Sequence, residues 1–221
     1  MSGFSRYCAS ADLWNCCVES GIFKLILGIT GTIGCGKSTV FSLFRAADWL
    51  TFDADGFCRS LYDGQNSTFA DRIRRMFGVG VFNADGSIDR QKVADAVFGD
   101  RDALTALTDL IYPLLDAGME KVMARCRKES RNGAFEVPLL YEAGYRERFD
   151  RVLAVWCDPG LRFRRLRELR GLDEADIRRR EARQWPDARK LELADYAIIN
   201  NGSPETLKMR FDLLLEELQR A

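Results

Sequence analysis

The chain has 221 residues, of which 47% are hydrophobic and 30% are charged, a balance typical of a globular domain that is long enough to bury a full core. Lysine plus arginine and aspartate plus glutamate number 33 each, so the net charge gives no general attraction for nucleic acid or an acidic membrane surface, and we expect neither as a partner. The seven cysteines include no CxxC pair and the chain has no histidine, which argues against a zinc site or a histidine-based triad and favours reduced thiols in a cytoplasmic protein.

Residues 1–23 show no clear hydrophobic period. We expect them to form a disordered extension ahead of one domain spanning residues 24–221. No stretch of the sequence reaches the ~18 consecutive apolar residues that are typical of a membrane span, so we predict no membrane-spanning segment.

A glycine-rich segment at residues 31–38 matches the pattern GxxxxGK[ST], follows an apolar run and precedes a helix-like run. This order predicts a strand, a phosphate-binding loop and a helix. Glycines allow consecutive backbone N–H groups to face phosphate oxygens, and the helix directs the positive end of its dipole at the same anion. Lys37 is placed to reach the β- and γ-phosphates, and the Ser38 hydroxyl to bind Mg²⁺. The residues predicted to contact the nucleoside triphosphate here are Gly31, Gly34, Cys35, Gly36, Lys37, Ser38 and Thr39.

Two aspartates follow the next apolar strand, which is predicted at residues 49–52. Asp53 and Asp55 would lie at the carboxyl end of that strand, where ligands bind in parallel sheets. One of them could simply cap the next helix. Both roles are compatible, because residues two apart on an extended strand end project to the same side. We expect at least one of the two to take part in catalysis.

The rest of the chain alternates between helical and strand patterns. Helical periodicity dominates residues 61–131, and its apolar stripes are typical of core. Further strands are predicted at residues 134–140, 152–157 and 195–199, and an amphipathic helix at residues 204–220. Five strands separated by helices predict an α/β fold, with a parallel sheet covered on both faces.

A cationic segment lies between the last two predicted strands. Residues 162–190 contain eleven lysines and arginines against six acids. A solvated charged helix is the usual structure of such a segment. Near a triphosphate site the alternative is a mobile lid whose arginines neutralise the transferring group.

Together, these motifs resemble those of the dephospho-CoA kinase family. The matching segments run in order from about residue 25 to the end of the chain: the phosphate loop, Asp-Ala-Asp at 53–55, Asp-Gly-Ser-Ile-Asp-Arg at 85–90, Val-Pro-Leu-Leu-Tyr-Glu at 137–142, Ala-Asp-Tyr at 194–196 and Asn-Gly at 201–202. The resemblance implies a P-loop NTPase three-layer sandwich with a five-stranded parallel sheet in the order 2-3-1-4-5. It also implies a helical acceptor-binding lobe at residues 61–131 and an arginine-rich lid at residues 160–193.

The activity implied by the resemblance is ATP-dependent phosphorylation of the ribose 3′-hydroxyl of dephospho-CoA. This reaction gives CoA and ADP in the last step of CoA biosynthesis, with ATP and Mg²⁺ as cofactors. By resemblance, Asp55 is the base that accepts the hydroxyl proton. The catalytic residues implied are Lys37, Asp55 and Arg165. The residues implied on the acceptor side are Asp53, Arg90 and Glu142. The residues implied to border the adenine are Asn201 and Gly202.

The sequence also departs from the family pattern. The family usually has a second glycine and a serine in the phosphate loop, where this chain has Thr32 and Cys35. Beside a helix N-terminus, Cys35 could be an oxidisable thiol. The family's histidine in the long helical segment is Tyr112 here. We still expect nucleotide binding, because none of these positions supplies a phosphate-cradling glycine.

The lid pattern is shifted as well. Two arginines four positions apart are usual, but Arg165 is followed at the fourth position by Leu169, and Arg170 comes one place late. On a helix this is a rotation of about 100°. Two alternatives therefore stay open beside the leading prediction: another small-molecule or nucleoside kinase on the same scaffold, and a non-catalytic ATP-sensing module. The sequence allows a monomer or a weak homo-oligomer.

Overall fold

The computed structural model describes residues 24–220, so the predicted extension at residues 1–23 lies outside the described residues. The strands in the described part are β1 (Ile26–Thr30), β2 (Leu50–Asp53), β3 (Gly133–Glu136), β4 (Arg151–Trp156) and β5 (Tyr196–Ile199). The helices there are α1 (Lys37–Ala46), α2 (Ala54–Ser60), α3 (Ser67–Phe77), α4 (Arg90–Val97), α5 (Arg101–Glu129), α6 (Pro159–Arg170), α7 (Glu174–Glu181), α8 (Asp187–Leu193) and α9 (Pro204–Arg220). None of these helices is long and apolar enough to cross a membrane.

The strands form one parallel sheet in the order β2-β3-β1-β4-β5. Strand β1 is central, and its Gly28 stands beside Phe135 of β3 on one side and Val152 of β4 on the other. The predicted fold class and sheet order are confirmed. Because all five strands run the same way, their carboxyl ends meet at one edge, which is where ligands bind in such sheets.

Each face of the sheet is covered by helices and buries its own apolar cluster. One cluster joins alternate side chains of β1 and β4 to α1 and α9, with Phe44 and Phe211 packed edge to face. The other joins β2, β3 and the opposite sides of β1 and β4 to α2 and the second half of α5. Gly28 lies on this second side, where a Cβ would come within 2.6 Å of Leu140. Continuous apolar strands are expected for a sheet buried on both faces.

Helices α3 and α4 and the first half of α5 surround a separate cluster of buried side chains, which includes Phe69, Ile73 and Val93. Each of these helices is capped at its start by a side chain that accepts backbone N–H hydrogen bonds. The capping residues are Asn66, Asp89 and Asp100. These caps satisfy donors that a helix leaves free. The division of the chain into an acceptor lobe and a lid stays a prediction.

Two local predictions differ from the structure. The strand predicted at residues 134–140 ends at Glu136, and the chain turns after Val137, because Pro138 has no N–H to continue the ladder. Helix α2 begins at Ala54, directly after Asp53. The assumption that Asp53 and Asp55 share an extended strand end is therefore wrong, since Asp53 is an N-cap and Asp55 lies in the first helical turn.

Candidate active site

The phosphate loop connects β1 to α1 at the carboxyl edge of the sheet. Gly36, immediately before α1, has a φ of 97°, and a Cβ there would lie 2.2 Å from Nδ2 of Asn200. Gly31 has a φ of 145°, and a Cβ there would lie 2.2 Å from the carbonyl oxygen of Val155. Only glycine fits at either position. Helix α1 has no acidic residue in its first turn and no side-chain cap from residues 24–220, so the positive end of its dipole is available to an anion.

Lys37 is 7% exposed and bonds to its own loop. Its Nζ donates to the carbonyl oxygens of Gly31 at 2.9 Å and Thr32 at 3.1 Å. Within the described residues it forms no ion pair with a carboxylate. The ammonium is therefore held in place by neutral acceptors, and within residues 24–220 no carboxylate competes with a phosphate for it.

Glu136, at the carboxyl end of β3, accepts a hydrogen bond from the Ser38 hydroxyl at 3.0 Å. It is 6% exposed. Burial raises the pKa of Glu136, while Lys37 and the Ser38 bond act in the opposite direction, and the charges of Asp53 and Asp55 raise it further. Sequence reasoning missed this residue because it was taken as part of an apolar strand. The available signal was an acid in the apolar run Ala-Phe-Glu-Val.

The Ser38 hydroxyl and the Glu136 carboxylate supply oxygen atoms beside the loop, and the carboxylates of Asp53 and Asp55 are close enough to influence Glu136. No group of three or more His, Cys, Asp or Glu side chains in residues 24–220 is arranged to hold a metal ion by itself. Mg²⁺ needs no such cage, because it is usually bound through one or two protein oxygens together with substrate phosphates and water. The residues present therefore fit Mg²⁺ that arrives with a nucleotide.

The two predicted aspartates have different environments. Asp53 caps α2, accepts the N–H of Gly56 at 2.9 Å and pairs with Arg59 at 3.3 Å. Asp55 is exposed, and no hydrogen bond or ion pair to it is found among residues 24–220. A free carboxylate is what a general base requires.

A cavity of about 670 Å³ opens above the loop. It is bounded by the loop, α1, α2, the end of β3, helix α6 and the segment around α7. The predicted site residues that line it are Gly34, Gly36, Lys37, Ser38, Thr39, Asp55, Arg165 and Gly202. Phosphate loop, free carboxylate and cationic segment thus face one space.

The cationic segment contributes arginines to this cavity. They are Arg165, Arg170, Arg180 and Arg183. In the described part of the chain none of them pairs with a carboxylate, and Arg165 donates to the carbonyl oxygen of Asn200 at 3.0 Å. Other cations of the segment do have acidic partners: Arg162 with Glu181 and Asp187, Arg178 with Glu174, Arg179 with Asp176, and Lys190 with Glu142. Seven arginines of the segment have no carboxylate partner among residues 24–220, and four of them line the cavity where a phosphate would lie; Arg164, Arg167 and Arg189 do not.

The shifted arginine, Arg170, also reaches the cavity. Arg170 is the last residue of α6, and both it and Leu169 line the space. Arg180 and Arg183 were part of the cationic run in the sequence, but nothing in their local pattern separated them from the solvated arginines beside them.

Several predicted site residues lie elsewhere. Glu142 accepts from Nζ of Lys190 at 2.8 Å and from the N–H of Trp185 at 2.6 Å. Arg90 lies over the ring of Tyr62. Asn201 accepts the N–H of Asp158 at 2.8 Å. Their roles toward a substrate stay predictions, as does that of Asp53.

Cys35 is 1% exposed, because its side chain packs in the apolar cluster shared by β1, β4, α1 and α9. Burial raises the pKa of its thiol, and the nearby charge of Lys37 only partly offsets this. A thiol that is both inaccessible and protonated is a poor target for oxidants. The structure therefore argues against the oxidisable thiol that the sequence suggested.

A phosphate loop after the central strand of a parallel sheet, facing a carboxylate and arginines that have no ion-pair partner in the described part of the chain, defines a P-loop kinase. The family model described as dephospho-CoA kinase matches residues 25–205. This chain belongs to the dephospho-CoA kinase family.

Individual relatives agree with the family match. A dephospho-CoA kinase of Corynebacterium glutamicum is 36% identical over 198 residues, covering 88% of this chain and 100% of the relative. A dephospho-CoA kinase of Aquifex aeolicus is 34% identical over 194 residues, which cover 88% of this chain and 97% of the relative. A crystal structure from Thermus thermophilus is similar with a TM-score of 0.75 at 31% identity, covering 88% of this chain and 98% of that one.

Proposed function

We propose that this protein transfers the γ-phosphoryl group of ATP to the ribose 3′-hydroxyl of dephospho-CoA, giving CoA and ADP. Membership of the dephospho-CoA kinase family and the names of its relatives support the reaction. The structural observation that carries it is that Lys37 and Ser38 share one cavity with Asp55 and with arginines of residues 162–190, and that within residues 24–220 neither Asp55 nor these arginines form an ion pair. The substrate is a small molecule.

The residues divide the work of phosphoryl transfer, which depends on positioning and charge neutralisation. Lys37 and the start of α1 hold the transferred phosphates. Ser38 is the proposed metal ligand, and Glu136 orients its hydroxyl. Mg²⁺, when bound with the nucleotide, neutralises charge that develops on the phosphate oxygens. Arg165 and its neighbours add positive charge from the other side of the cavity.

Asp55 is the proposed base for the acceptor hydroxyl. We expect Asp55→Asn to lower kcat by about 10²- to 10⁴-fold, because the amide cannot accept the proton. Affinity for ATP, measured by calorimetry, should stay close to that of the wild type. Asp63→Asn provides a control, because Asp63 is also exposed and close in sequence but does not line the cavity. A near-normal rate for Asp55→Asn would show that the base assignment is wrong.

The acceptor is tested by measuring ADP release from Mg-ATP with dephospho-CoA, adenosine, nucleoside monophosphates or no acceptor. We expect stimulation by dephospho-CoA and its loss in Lys37→Ala. Absence of stimulation by dephospho-CoA would overturn the proposal. Turnover with a nucleoside instead would support another small-molecule kinase, and ATP binding without any turnover would support a sensing module.

A further inference from the structure

The first turn of the phosphate loop is hydrogen-bonded to residues 184–187, which belong to the predicted lid. The hydroxyl of Thr32 donates to Oδ1 of Asp187, and the backbone N–H of Ile33 donates to Oε1 of Gln184 at 2.9 Å. Thr32 is buried. Two consecutive loop residues are thus held by a segment more than 150 residues further along the chain.

Asp187 is itself fixed by a buried arginine. Nη1 of Arg162 donates to Oδ2 of Asp187 at 3.2 Å, while Nη2 lies 2.6 Å from Oε1 of Glu181. Arg162 is 6% exposed and cannot lose its charge. Because a buried charge needs compensation, the arrangement resists displacement of the Asp187 carboxylate. One oxygen of this carboxylate accepts from Arg162, and the other accepts from Thr32.

Thr32 connects this network to the catalytic lysine. Its carbonyl oxygen accepts from Nζ of Lys37 at 3.1 Å, while its hydroxyl donates to Asp187. A rotation of this residue would therefore move an acceptor that holds the ammonium. The other acceptor of the Lys37 ammonium is the carbonyl oxygen of Gly31. Because glycine has no side chain, Thr32 is the only one of the two acceptor residues that a side-chain hydrogen bond can hold in place.

We propose that Thr32, Asp187 and Gln184 are positioning residues, which hold the first turn of the phosphate loop and Lys37 in the arrangement that binds ATP. They act through the loop backbone and need not touch the acceptor. The inference rests on the proposed function only in so far as this loop binds a nucleotide.

The test compares Thr32→Val, which removes the hydroxyl at similar volume, with Thr32→Ser, which keeps it. Loss of a hydrogen bond to a charged group should weaken Mg-ATP binding in Thr32→Val by about tenfold in calorimetry. Thr32→Ser should bind within about threefold of the wild type by the same reasoning. In turnover assays we expect Thr32→Val to raise KM for ATP, with little change in kcat or in KM for dephospho-CoA. Glu174→Gln is the matched control, because its lid carboxylate pairs with an exposed arginine instead.

Amide hydrogen exchange gives a readout that needs neither nucleotide nor acceptor. Gln184→Ala should speed exchange at the Ile33 amide, and Thr32→Val should speed exchange across residues 31–36, with global stability followed in parallel. Unchanged exchange and affinity in Thr32→Val would overturn the proposal. So would equal losses in Thr32→Val and Thr32→Ser, which would indicate packing. A wild-type protein that binds ATP but ignores dephospho-CoA would refute the proposed function and leave this inference standing.

Discussion

Glu136 is a buried side chain with a proposed role at the site and a cost in stability. Its carboxylate orients Ser38 at 3.0 Å, but it sits in a poorly solvated position. Because burial raises the pKa of Glu136 above its ordinary value of 4.5, the charged form is less favourable in the folded than in the unfolded protein. The contribution of Glu136 to the free energy of unfolding is therefore largest at low pH and falls as pH rises through this pKa.

Replacing Glu136 with glutamine should remove this pH-dependent loss. We expect the melting temperature of Glu136→Gln, relative to that of the wild type, to increase as pH rises from 4 to 8. The reason is that the amide stays neutral and can still accept the Ser38 hydrogen bond. Melting curves across this range provide the measurement. Glu217→Gln, on the exposed side of α9, should show no such trend. A difference that stays constant or shrinks with rising pH would contradict the role given to burial.

Helix α6 carries a buried, paired arginine as well as arginines that line the cavity. Arg162 is buried and paired near the start of the helix, whereas Arg170, at its end, faces the cavity without a carboxylate partner among residues 24–220. The offset of about 100° from the usual position does not remove Arg170 from the site. The helix end and Leu169 share the same cavity wall.

We therefore expect Arg170→Ala to lower kcat by about tenfold or more, since a lid cation acts mainly on charge that develops in the transition state. KM for ATP should change less than kcat. Arg164→Ala on the same helix supplies the comparison, because Arg164 is exposed and does not line the cavity. Equal rates for the two variants would assign Arg170 to the solvated face.

The sequence predicted what depends on local pattern. The phosphate loop, the strands and the position of Asp55 after the second strand rest on short motifs and apolar periods, whereas the sheet order was implied by the resemblance to the family. Two hydrogen bonds could not be predicted from local sequence patterns, because they join residues far apart in the chain. The bond from Ser38 to Glu136 spans 98 positions, and that from Thr32 to Asp187 spans 155. The end of β3 was missed for a different reason, since the missing N–H of Pro138 outweighed the apolar run around it.

Nucleotide binding should stabilise the whole molecule, because the loop, the sheet edge and residues of the cationic segment line one cavity that exists only in the folded chain. At a Mg-ATP concentration of 100 times Kd, we expect about 2.7 kcal/mol of added stability. For a domain of this size that corresponds to a rise in melting temperature of roughly 5–10 °C. Lys37→Ala should lose most of this shift, whereas Lys208→Ala should keep it, because Lys208 pairs with Asp212 on the exposed side of α9. An equal shift in Lys37→Ala would mean that the nucleotide binds somewhere other than the phosphate loop.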